Sequence, residues 1–214
     1  MAVDIQKAKD EFSMIYDHIE RDGAMALYDW LENETDFFSA PASSKYHLCE
    51  PGGLCQHSIN VYNRLKMFLD CEYGKNNPYS EETIAIVALL HDLCKTDFYE
   101  MDWKNQKNYD QEVVRNALPK ERKSDNRGEF IWESVPTYTI REQFIYGHGE
   151  KSVYLIRNYM NLTDEEAQAI RFHMGSFTEA DKNNAGKVYA QSPLAFYLNM
   201  ADGAATFLDE PRGE

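Results

Sequence analysis

Six side chains in this sequence have the chemistry of metal ligands and stand where apolar residues belong. His57 falls between Leu54 and Val61 in "LCQHSINVYNRL". His91 follows Ile84 and Val87 at helical spacing in "IAIVALLHDLCK", with Asp92 beside it. His173 lies three residues after Ile170, and Asp202 four after Leu198. His148 stands between two glycines in "YGHGEKS". A lone histidine on an apolar face is ordinarily a hydrogen-bonded core residue, and a lone aspartate there caps or pairs with arginine. Two carboxylates and four imidazoles turned inward from five segments ask for one shared partner. A buried carboxylate is costly unless it is paired or bound to metal. A mixed imidazole and carboxylate set suits iron, manganese, zinc, nickel or cobalt.

The elements that must carry these residues read mostly as helix. Residues 4 to 20 and 23 to 32 form two amphipathic helices. Residues 40 to 53, with two prolines and two glycines, form a loop. Residues 54 to 72 form a long helix whose inner face is Leu54, His57, Val61, Leu65 and Phe68. Ser80 caps the next helix, which is expected to run to about residue 96. The period then changes. "DFYEMDWKNQKNY" and "EFIWESVPTYTI" alternate aromatic and β-branched residues and predict a two-stranded hairpin with a long charged tip, Pro136 favouring an edge position. Helices return after "YGHGEKS". Thr163 and Glu166 have capping-box spacing, and Ser192-Pro193 reads as a cap followed by a first-turn proline.

Composition narrows the function. With 36 acidic and 22 basic residues the net charge is −14, which repels phosphate backbones and makes long nucleic acid an unfavourable partner. The basic stretch "PKERKSDNR" reads as a solvated loop. No apolar run nears the roughly 20 residues that span a bilayer, and the start lacks a signal core, so a soluble, cytoplasmic protein with no membrane partner is expected. Cys49, Cys55, Cys71 and Cys94 form no CxxC pair and read as reduced thiols.

The pattern His57, His91-Asp92, Asp202 resembles the HD-domain superfamily of metal-dependent phosphohydrolases over about residues 45 to 207. "EPGGLCQHSINVY" is similar to that family's glycine-rich lead-in to its first histidine, "ALLHDLCK" to its apolar run into His-Asp, and "LNMADGAA" to its closing helix. His148 and His173 match members that hold two metals. There is no "GYP" signature and no oligonucleotide-binding barrel ahead of the domain, which sets the chain apart from the cyclic-dinucleotide phosphodiesterases and the exoribonucleases of that superfamily.

The resemblance implies a mostly α fold: a single HD-type helical bundle, residues 1 to 214, with a small β-hairpin insertion at about 98 to 140. It implies two divalent transition ions, Asp92 bridging them, with His57, His91 and Asp202 on the first and His148 and His173 on the second. A water shared by such a pair becomes the nucleophile toward phosphorus. Asp92 and Lys95 would then be catalytic, and Lys95, Lys151 and His47 would face a small phosphorylated substrate such as a nucleotide. Other readings stay open: a 3′→5′ nuclease or phosphodiesterase on short oligonucleotides, a non-catalytic ligand-binding module, and a di-iron oxygenase using the same ligands.

Overall fold

The computed structural model describes residues 2–142, 144–176 and 182–210. In chain order its elements are α1 (Ile5–Tyr16), α2 (Ala24–Asn33), α3 (Gly53–Tyr73), α4 (Glu81–Leu90), β1 (Tyr99–Asn108), α5 (Gln111–Asn116), β2 (Lys123–Asp125), β3 (Gly128–Ile140), α6 (His148–Arg157), α7 (Asp164–Arg171), α8 (Ala185–Gln191) and α9 (Pro193–Ala204). The chain is mostly α with one small antiparallel sheet. It divides into two compact units: Met1–Tyr99 with Arg141–Glu214, and Glu100–Ile140.

In the helical unit α4 is central. Every residue from Ile84 to Leu90 is fully buried, as expected of a helix that is apolar all round. On one side α3 covers it, placing Leu54, His57, Val61 and Leu65 on its buried face. Next to α3 lies α9, and α7 packs on both α9 and α4. The expected caps form. Ser80 Oγ accepts from Thr83 N–H, Thr163 and Glu166 close a capping box, and Ser192 caps α9 with Pro193 in the first turn. Arg21 locks α7 to the N-terminal region through two hydrogen bonds to the buried Glu166 carboxylate, 2.6 and 3.0 Å long.

Four expectations need correction. The first helix stops at Tyr16 rather than residue 20. The fourth stops at Leu90 rather than about 96: Asp92 leaves helical geometry (φ −102°, ψ 21°) to turn its carboxylate inward, and the chain resumes as one 3₁₀ turn, Leu93–Lys95. The tip of the hairpin is not bare, because it carries α5 and β2, giving the strand order β1-β3-β2. Pro136 therefore lies on the middle strand. It is tolerated because β2 pairs only with residues 128 to 130 of β3 and leaves that side of β3 open at Pro136. Among the described residues no helix is long and apolar enough to cross a membrane.

Candidate metal centre

Two close approaches bring the histidines together. A Cβ on Gly53 would collide with the Leu48 carbonyl oxygen, so only glycine lets α3 start against the preceding loop. That start puts His57 one turn into the helix, with His47 of the loop 5.1 Å away ring to ring. A Cβ on Gly149 would likewise meet the Arg171 and Ile170 carbonyls. Only there can α6 lie so near the end of α7 that His148 and His173 sit 5.2 Å apart.

Asp92 is the hub. Its Oδ2 faces His57 Nε2 and His91 Nε2, both at 3.5 Å. Its Oδ1 faces His148 Nε2 at 2.7 Å and His173 Nε2 at 3.5 Å. Asp202 Oδ1 lies 3.4 Å from His57 Nε2. His57, His91, Asp92 and His173 are at most 2% exposed. All six expected ligands are thus in one place, and their donor atoms fall into overlapping groups that could hold metal ions: His57, His91 and Asp202; His91, Asp92 and His173; Asp92, Cys94 and His148.

The opposite edges of three rings are already committed. His91 Nδ1 donates to Ala88 O at 2.8 Å, and His173 Nδ1 to Ile170 O at 2.7 Å, since a carbonyl can only accept. His57 Nδ1 meets Glu210 Oε1 at 2.9 Å. With the proton on Nδ1, His91 and His173 each present a bare Nε2 lone pair. His173 Nε2 is buried with no hydrogen-bond partner among the described residues, and its 3.5 Å neighbour Asp92 Oδ1 is another acceptor. His91 Nε2 and His57 Nε2 are 3.3 Å apart. A buried lone pair without a donor, as on His173 Nε2, is costly, and a cation beside it would satisfy it. The donor set fits a metal, with the outer hydrogen bonds orienting each imidazole.

The charges follow from the same contacts. Burial opposes charge on His57, but Glu210 and Asp202 outweigh it and raise its pKa to about 10. Burial also opposes charge on His148, and Cys94 and Asp92 bring it up to about 10. Burial would raise Asp92; Lys95 and His91 hold it well below the usual carboxylate range. Lys95 Nζ is 2.6 Å from Asp92 Oδ2, and although burial disfavours its charge, that carboxylate keeps it above the ordinary lysine value. Burial lowers His47 to about 4, His57 and Lys95 adding to the effect.

A cavity of about 490 Å³ opens on this cluster, with His47, Asp92, Lys95, His148 and Asp202 in its wall. Lys151 is not among its lining residues. It is buried in α6, its Nζ 3.2 Å from Glu142 and between the rings of Phe98 and Phe144. The expected phosphate contact from Lys151 is therefore corrected: its charge is spent on a carboxylate and two aromatic faces. Glu210 went unnoticed in the sequence. It follows a single π-helical turn, Ala205–Asp209, which brings its carboxylate back onto His57 and Asn60. That turn interrupts the regular helical face, so nothing local marks it. Cys94, read as a core thiol, has its Sγ 3.3 Å from His148 Nδ1.

No protein-family model, curated protein or solved structure matches the chain.

Proposed function

We propose that the chain is an HD-type metal-dependent phosphohydrolase that cleaves an ester bond of a small phosphorylated substrate. The observation that carries this reading is the orientation of Asp92, whose two oxygens each face a different pair of histidines. That is the arrangement a carboxylate needs to bridge two cations. On this reading His57, His91 and Asp202 hold one ion, and His148 and His173 the other.

Bound there, divalent transition ions would supply Lewis acidity, making a water nucleophilic at neutral pH and neutralising a phosphoryl oxygen. The protein's own groups do the rest. Glu210 and the carbonyls of Ala88 and Ile170 fix the imidazoles, so the ligands need no reorganisation during the reaction. Lys95 remains an ammonium. It would stabilise negative charge on the phosphoryl or leaving oxygen by its field and N–H bonds rather than by giving up its proton. His47, kept neutral by burial, would act on a substrate as a hydrogen-bonding group.

Elemental analysis of the purified wild type beside Asp92→Ala tests this. About two equivalents of transition metal are expected in the wild type. In the variant, metal should be lost and phosphate-ester hydrolysis should fall by at least about 10³-fold. A wild type that takes up no metal even after reconstitution with Mn²⁺ or Fe²⁺ would sink the reading.

A further inference from the structure

Burial sorts the cavity wall into two zones. The charged groups lie deep: Asp92 is 3% exposed in its side chain, Lys95 13% and Asp202 16%. The mouth is apolar, with Tyr46 65% and Phe207 60% exposed and Met174 half-buried between these extremes. The wall also carries His47, His148, Asn199 and Thr206. Asn199 already gives its amide nitrogen to His173 O at 2.6 Å, which leaves its oxygen as an acceptor. Both rings line the cavity, and an apolar patch rimming a polar pocket is a surface that a ligand can cover.

We infer that Tyr46 and Phe207 are specificity-determining residues, stacking the ring of an aryl or heteroaryl phosphate monoester whose phosphate points inward to Asp92 and Lys95. This rests on the phosphohydrolase reading. Two aromatic rings and a thioether suit a flat π-system better than an alkyl chain, since ring–ring and sulfur–ring contacts add to simple burial. The cavity volume of about 490 Å³ leaves room beyond the charged zone for such a ring.

The test is a ratio of affinities, measured by calorimetry on metal-loaded protein with phenylphosphonate and methylphosphonate as probes, whose P–C bonds are not hydrolysed. In the wild type phenylphosphonate should bind about tenfold more tightly, the equivalent of one stacked ring. In Tyr46→Ala/Phe207→Ala the ratio should fall to near one, and Tyr46→Phe/Phe207→Tyr should restore it. A wild-type ratio near one, or a ratio that survives the double alanine change, overturns the inference. Hydrolysis of 4-nitrophenyl phosphate and glycerol phosphate separates the two ideas. Cleavage of both without ring preference leaves the phosphohydrolase and removes the ring site. Ring preference without cleavage leaves the ring site and removes the phosphohydrolase.

Discussion

The two units of this chain solve opposite problems. In the helical unit every residue of α4 from Ile84 to Leu90 is fully buried, and a charged cluster lies among such side chains. In the sheet unit every residue of β1 from Glu100 to Lys107 is exposed, and the buried side chains are Val114 and Phe130. The sheet is held by its ladders and by surface contacts such as Lys107, which pairs with Asp125 and lies 4.4 Å over the Phe130 ring. Surface pairs contribute little, and so small a sheet is marginal by itself. The lesson is where chemistry can be placed. Imidazoles and carboxylates can be driven together against their own desolvation only where a large apolar core surrounds them.

The sharpest way to break the comparison is through Arg21. Its partner Glu166 is 1% exposed, whereas Arg21 is 20% exposed. Removing the arginine strands a buried carboxylate, so Arg21→Ala should lower unfolding free energy by about 3 kcal/mol, measured by urea denaturation. The pH dependence should change with it. Burial pushes Glu166 up, but the Arg21 hydrogen bonds and the Thr163 N–H hold it below the usual carboxylate range. A depressed carboxylate contributes stability that is fully present above its unfolded pKa and is lost as pH falls through its folded one. The acid limb of the wild-type stability curve should flatten in the variant. An unchanged limb would mean that the pair is not coupled to folding.

A second comparison sets one apolar residue from each unit side by side. Leu65 is fully buried on α3, whereas Trp132 on β3 is 55% exposed. Leu65→Ala should cost about 3 kcal/mol, the transfer term plus a cavity. Trp132→Ala should stay within about 1 kcal/mol although it removes the larger side chain. Equal losses would show that the sheet face is covered in solution.

How much of this was legible before the fold was known follows the same division. Helix starts in the apolar unit announce themselves, because Ser80, Thr163 with Glu166, and Ser192 with Pro193 satisfy end groups by short-range rules. The six inward polar residues were visible as exceptions to an apolar period. The end of α4 was not, because Asp92 breaks helical geometry to reach partners 56 and 81 residues away in sequence, His148 and His173. Glu210 was hidden for a similar reason, since a π turn and not a periodic helix delivers it. Lys151 looked free beside His148, and only the fold shows Glu142, Phe98 and Phe144 around it. In the sheet unit, exposed strands lack the inside–outside contrast that makes a pattern readable, so α5 and β2 went unseen within the charged tip.

The smallest expected effect comes from removing the sheet unit altogether. Its two ends are adjacent, since Arg141 N–H donates to Phe98 O at 2.8 Å, so a short Gly-Ser linker can close the gap at little entropic cost. All six candidate ligands, Lys95 and Glu210 belong to the helical unit, and so do the Phe98, Glu142 and Phe144 neighbours of Lys151. Replacing residues 100–140 by such a linker should therefore leave metal content per chain unchanged and shift the thermal midpoint by no more than about 4 °C, equivalent to roughly 1 kcal/mol. Elemental analysis and a circular dichroism melt check both. A helical unit that unfolds or loses its metal on excision would show that the exposed sheet contributes to the stability of the core, and the division drawn here would have to be given up.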